Sequence, residues 1–218
     1  IKMYVLDVDA NNILKVTAEC QVDNTEILAD QSFPAAAYLG ERIVVAWEDR
    51  RPGHTIIMAA VETDTGCQFS PAQRISQRPD ARPNLPYGKG HGVARVALTD
   101  HSPNQVMAVW ADKRDFREGY DIYAAQTSSS MEFGSNRRVQ DDFGGQARQW
   151  RPAITAKHAD HVVVAWDDDR DGTPDIHLSW KQADQWSEDY LIPVAAGDGV
   201  QSHPSITLDS SGDLHLVW

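Results

Sequence analysis

The segment Trp-x-Asp-x-Arg occurs three times in this chain, as Trp47-Glu-Asp49-Arg-Arg51, Trp110-Ala-Asp112-Lys-Arg114 and Trp166-Asp-Asp168-Asp-Arg170. A fourth copy begins at Leu214-His-Leu-Val-Trp218. The tryptophans lie 63, 56 and 52 residues apart, near the roughly 40 to 50 residues of four-stranded propeller blades and far above leucine-rich or ankyrin periods. Self-similarity at this spacing restricts the chain to one structural unit used several times.

Each tryptophan ends a short apolar run, such as Ile43 to Trp47 or Val162 to Trp166. Another strand candidate precedes it: Pro34 to Tyr38, Val93 to Leu98, Pro152 to Ala156 and Pro204 to Leu208. The connecting turns are rich in Gly, Asp, Asn and Ser, as in Asp209-Ser-Ser-Gly212-Asp, which suits hairpins. A third strand follows each Arg (Thr55 to Ala59, Asp121 to Ala125, Asp175 to Ser179), and a fourth lies around Gln73 to Ser76, Arg137 to Val139 and Leu191 to Val194. No stretch sustains helical apolar periodicity over three turns. The expected fold is all-β: a β-propeller of four-stranded antiparallel blades, forming a single domain over residues 1–218.

The ends are half-blades. Ile1 to Val5 with Ile13 to Thr17 reads as the third and fourth strands of a blade, and the C-terminus supplies a first and second. Two arrangements stay open. The halves join into a fourth, composite blade that closes the ring, or the chain is a fragment of a larger propeller of five to seven blades. The start without Met, inside a strand, points to a processed chain or fragment.

The formal charge of −12 disfavours nucleic acid and anionic membrane surfaces as partners. Apolar runs of about five residues are far short of the roughly 20 that span a bilayer, so no membrane insertion is expected. Cys20 and Cys67 allow at most one disulfide, and their pairing is open at this level.

The string Trp166-Asp-Asp168-Asp-Arg170-Asp-Gly172-Thr-Pro-Asp175-Ile176 resembles the repeats of bacterial sialidase-like propeller proteins of the BNR type, and Asp121-Ile122-Tyr123 looks like the same element one blade earlier. Glu62-Thr-Asp64-Thr-Gly66-Cys-Gln-Phe69 is similar to their Asp-box hairpin, with Glu in the Ser place and Phe in the Trp place. The equivalent hairpins at Thr127 to Phe133 and Lys181 to Trp186 lack the Asp-x-Gly core. The resemblance implies a secreted, periplasmic or cell-surface protein. It does not carry catalytic roles across: the N-terminal Phe-Arg-Ile-Pro signature of true sialidases is absent, and a shared fold hosts many functions.

An Asp and an Arg at the same place in every blade suit a structural clip, since a catalytic group is needed once and repeats reuse structural units. The tryptophans read as packing between sheets. Asp167, Asp169, Asp171 and Asp175, with Gly172, match the start of a calcium loop. The twelfth position is Leu178, not the bidentate Glu, so the stretch reads first as a solvated acidic loop and calcium as an addition to one blade. No other cofactor is indicated.

A binding site on a pseudo-symmetric scaffold must lie where the blades differ. Aligning the entry to each first strand places Phe33, His91, Arg151 and His203 at corresponding positions, with Trp150 and Tyr87 nearby. First strands line the central channel, so these residues are expected to gather at one mouth, where Arg and His attract an anionic group and aromatic rings stack on a sugar. The leading expectation is a recognition module with a carbohydrate, other anionic or protein ligand at this mouth. Two alternatives stand beside it: a carbohydrate-active enzyme, either glycoside hydrolase or polysaccharide lyase, and a structural blade array of a larger surface protein. The enzyme reading requires two carboxylates or a His/Tyr pair at the mouth.

Overall fold

The computed structural model describes residues 1–26, 29–64, 66–77, 92–114, 119–141 and 145–218. An N-terminal hairpin pairs β1 (Lys2–Val8) with β2 (Leu14–Gln21). The first complete sheet comprises β3 (Gln31–Leu39), β4 (Arg42–Asp49) and β5 (Ile56–Asp64), with an outer edge split into β6 (Gln68–Phe69) and β7 (Gln73–Arg74). The second comprises β8 (Val93–Ser102), β9 (Gln105–Asp112), β10 (Asp121–Gln126) and β11 (Arg137–Arg138). The third comprises β12 (Gln149–His158), β13 (His161–Asp168) and β14 (Asp175–Gln182), with edge pieces β15 (Gln185–Trp186) and β16 (Tyr190–Leu191). The chain ends on the hairpin of β17 (Ser205–Leu208) and β18 (Leu214–Val217). All pairings are antiparallel, and the one helical element among the described residues is a single 3₁₀ turn, Pro193–Ala195.

The sheets stack face to face, which explains the unbroken apolar runs. In β9, Val106, Ala108 and Trp110 pack toward the first sheet while Met107, Val109 and Ala111 pack toward the third. Because successive strand residues point to opposite faces, a strand covered on both faces is apolar throughout. The tryptophans always face the preceding unit: Trp47 meets Val22, Ile1 and Met3 of the N-terminal hairpin, Trp110 the first sheet and Trp166 the second. All three are fully buried.

The Trp-x-Asp-x-Arg frame is a clip. The indole Nε1 of Trp47, Trp110 and Trp166 donates to the carboxylate two residues on at 3.2, 2.9 and 3.0 Å, and Arg51, Arg114 and Arg170 donate to that same carboxylate at 2.7, 2.6 and 2.6 Å. Each Arg then reaches toward the preceding unit. Arg51 bonds Asp23 behind β2. Arg114 bonds Asn136, which is tied to Ile75 and Gln77 of the first sheet. Arg170 bonds Asp189, which is paired with Asp141 of the second, the backbone N–H of each donating to the carboxylate of the other.

The first strands β3, β8, β12 and β17 neighbour one another in sequence order, as inner strands of a radial array do. The terminal hairpins do not form the composite blade: β1–β2 and β17–β18 are separate two-stranded sheets. The first packs on the Trp47 face and the second on the far face of the third sheet. Cys20 and Cys67 form a disulfide that ties β2 to the turn before β6.

Candidate functional site

Three inner strands carry an irregularity at one place. The register of β3 on β4 breaks between Ser32 and Ala35, of β8 on β9 between Ala94 and Ala97, and of β12 on β13 between Trp150 and Ala153. Each break inserts residues that the partner strand does not match, which bends the strand and re-aims a side chain. The pivot in each is a non-glycine residue with positive φ: Phe33 at 49°, Arg95 at 60° and Arg151 at 49°. His203, just before β17, has φ 61°. Such residues cost about 1–3 kcal/mol each and cluster at functional sites.

The four pivots and the residues after them line one open depression of about 430 Å3 among the inner strands: Phe33-Pro34, Arg95-Val96, Arg151-Pro152 and His203-Pro204. Phe33, Arg151 and His203 all line it. The second blade contributes Arg95 in the position assigned to His91. His91 and Tyr87 lie outside the described residues. Trp150 does not line the depression and packs on Tyr120, ring centroids 4.0 Å apart and planes tilted by 32°.

The depression is cationic and aromatic. The Arg95 guanidinium lies 3.8 Å from the Phe33 ring centroid, and Phe33 is half exposed. Arg151 Nη1 donates to Asp167 Oδ2 at 2.7 Å. His203 is exposed, its Nδ1 sharing a hydrogen bond with Ser202 Oγ.

Two carboxylates stand directly behind these cations; sequence reasoning passed over Glu48 and took Asp167 only as part of a calcium loop. Glu48 and Asp167 fill the variable position between Trp and Asp of the frame, where the second blade has Ala111. Glu48 Oε1 accepts the backbone N–H of Arg95 at 2.8 Å. Burial raises its pKa, against the Arg95 N–H and the charges of Arg95 and Arg50. Asp167 is 3% exposed and its Oδ1 is buried without a hydrogen-bond partner. Burial raises its pKa as well, opposed by the Arg151 charge and by the backbone N–H of His203. A buried carboxyl so shifted can hold or release a proton nearer neutrality. The signal was available in the sequence, as the two acidic interruptions of an otherwise fixed frame.

A second depression, of about 320 Å3, lies beside Glu48 between the first two sheets and is walled by Arg50, Thr55, Val93 and Tyr120. Glu48 thus borders this space and also holds the pivot of the central one. The acidic stretch after Trp166 does not converge. Asp167 engages Arg151, Asp169 accepts the N–H of Arg148, Asp175 accepts the N–H of Gly197 and Asp171 faces solvent. Among the described residues no group of three or more His, Cys, Asp or Glu side chains is placed to hold a metal ion.

No family model and no curated protein matches the sequence. Solved structures do match in fold. A Penicillium chrysogenum α-L-arabinanase complexed with arabinobiose superposes with a TM-score of 0.62 at 14% identity, over 84% of this chain and 57% of that one. The GH93 α-L-arabinofuranosidase of Fusarium graminearum with arabinobiose gives 0.64 at 11%, over 98% and 66%. A Hadza microbial sialidase gives 0.56 at 13%, over 88% and 46%. The chain thus spans 57 to 66% of the length of the first two. Likeness at such identity establishes the fold, a β-propeller of antiparallel blades, and nothing finer.

Proposed function

We propose that this protein recognises a carbohydrate at the depression formed by Phe33, Arg95, Arg151 and His203. The observation that carries the reading is the convergence of four positive-φ side chains, three from inner strands and His203 from the entry to a fourth, on a single open space. Ordinary inner strands have no need of that strain, and a ligand site does. The guanidinium groups supply donors for hydroxyl or carboxylate oxygens, and the exposed Phe33 face offers a stacking surface for a sugar ring. Two of the structural neighbours hold arabinobiose, which supports the ligand class. The Cys20–Cys67 disulfide supports an oxidising compartment, in keeping with a secreted, periplasmic or cell-surface protein.

A glycan array followed by titration tests this. The selected glycan binds Arg95→Ala and Phe33→Ala at least tenfold more weakly than the unaltered protein. Unchanged affinity in both variants removes the site. Arg95 is exposed and bonds through its backbone, so its truncation leaves the fold in place.

A second reading, hydrolysis or elimination at the same place, is favoured by Glu48 and Asp167, two buried carboxyls with raised pKa values behind the cations. They suit an acid/base pair. If the protein cleaves the glycan it binds, Glu48→Gln and Asp167→Asn abolish product release while retaining binding. Product formed at full rate by both variants sinks the catalytic reading and leaves the binding one standing.

A further inference from the structure

We infer a second ligand site, for a saccharide ring bearing a carboxylate, in the cleft between the second and third blades at the far end of the strands. This site stands independently of the reading above. The cleft is a cavity of about 230 Å3, below the roughly 300–1,000 Å3 of drug-sized ligand pockets and suited to one sugar unit. Along β9 the central pivots lie level with Ala111, whereas the cleft is lined from Gln105, a separation of about 20 Å at strand rise.

The cleft is built where the blades disagree. Register places Glu62, Thr127 and Lys181 at one position, each four residues past the partner of the frame tryptophan. In the first blade Glu62 accepts the N–H of Ile43 at 3.2 Å, and in the second Thr127 accepts that of Val106 at 2.9 Å. A lysine ammonium only donates, so Lys181 cannot take over that role and instead lines the cleft. Its cross-strand partner also departs: Phe69 and Phe133 in the first two blades become Trp186.

The resulting chemistry is specific. Trp186 is half-buried, packed on the core between the two blades, and its remaining face is a wall of the cleft over a floor that includes Met107. Arg137 approaches from the second blade, donating through Nη1 to the carbonyl of Asp184 at 3.1 Å, which anchors its guanidinium at the rim. Lys181 stands across from it with no ion pair among the described residues. An indole face stacks on a sugar ring, two cations hold a carboxylate, and the Gln105 amide and Asp184 carboxylate suit ring hydroxyls. In a chain of charge −12, a cationic cleft of this kind selects the anion that the rest of the surface repels.

The test is titration of 15N-labelled protein with methyl β-glucuronide, methyl β-glucoside and inorganic phosphate, read at the Trp186 indole N–H. The glucuronide shifts this signal saturably, the glucoside and phosphate at least tenfold more weakly, and added salt weakens the glucuronide. Lys181→Thr, which installs the residue of the second blade, weakens glucuronide binding at least tenfold at this signal, and Trp186→Phe, which installs that of the first two and is followed at the Lys181 backbone amide instead, weakens it as much. Arg95→Ala leaves it unchanged. Four results overturn the inference: no saturable shift, a glucoside that binds as well, phosphate that binds as well, or binding lost in Arg95→Ala and retained in Lys181→Thr. The last places the glucuronide at the central depression.

Discussion

Replacing Asp49 with Asn probes how the repeated frame holds neighbouring units together. Asp49 is fully buried, and its carboxylate accepts from Trp47 Nε1 at 3.2 Å, Gln31 Nε2 at 3.0 Å, the Arg51 backbone N–H at 2.8 Å and the Arg51 side chain at 2.7 and 2.9 Å. Burial alone would raise its pKa, but these donors outweigh it and hold the carboxyl at about 2 against an ordinary 3.8. A carboxyl whose folded pKa lies below its unfolded one adds stability above the unfolded value, and that stability is lost as pH falls through about 4 toward 2. At 1.36 kcal/mol per unit, the depression amounts to ~2–3 kcal/mol at neutral pH. Asn cannot ionise, and among the described residues it leaves Arg51 ion-paired with Asp23 alone. Urea unfolding of both proteins at pH 7, 5, 4, 3 and 2.5 measures the difference. It is expected to be ~2–3 kcal/mol, level between pH 7 and 5, and to shrink below pH 4 as the wild-type carboxyl protonates. A difference that stays constant to pH 2.5, or grows on acidification, refutes the reasoning.

Three further outcomes follow from particular groups. Asp189, pushed up to about 6 by burial against the pull of Arg170 and of the Asp141 backbone N–H, should titrate near pH 6 in 13C NMR, while Asp168, held down by Arg170 and Trp166 against its burial, should show no midpoint above 3.8. The folded state then binds a proton at Asp189 before the unfolded chain does, so this residue alone adds stability as pH falls from 6 to 4. Cys20→Ser with Cys67→Ser removes a cross-link spanning 47 residues, worth about 4 kcal/mol on a loop-closure basis, and amide exchange in residues 2–21 should rise well above that in the second sheet. His203→Gly relieves a positive φ on an exposed side chain and should stabilise the fold by about 0.5–1 kcal/mol in thermal unfolding, while glycan affinity falls.

Much of the scaffold is readable from the chain because its cause is local. Trp-x-Asp-x-Arg is a self-contained clip in which indole and guanidinium meet one carboxylate, so it survives in every blade and marks the end of each second strand. The inner strands are read well around Pro34, Pro152 and Pro204, where proline follows the pivot. The second blade has Val96 there; without that marker the alignment slides to His91 and misses Arg95. A strand register is a tertiary property, and one bulge shifts it without any change in composition. Glu48, and the place of Asp167 behind the pivots, are hidden for a different reason. Their neighbours Asp49 and Asp168 occupy the fixed place in the motif, and only the fold reveals that the adjacent residue points toward the next blade's pivot. The acidic run from Asp167 to Asp175 misleads in the opposite sense, because spacing suggests convergence while β13 ends at Asp168 and separate partners hold the carboxylates apart: Arg151 for Asp167, the Arg148 N–H for Asp169 and the Gly197 N–H for Asp175.

The central claim is that the four pivots form one ligand site, and the most direct measurement is amide chemical-shift mapping with the glycan selected on the array. The account predicts that the amides of Phe33, Arg95, Arg151 and His203 shift together along one saturation curve and that Arg95→Ala weakens all four responses. Saturable binding that shifts none of these amides, or that moves one of them on a separate curve, contradicts it.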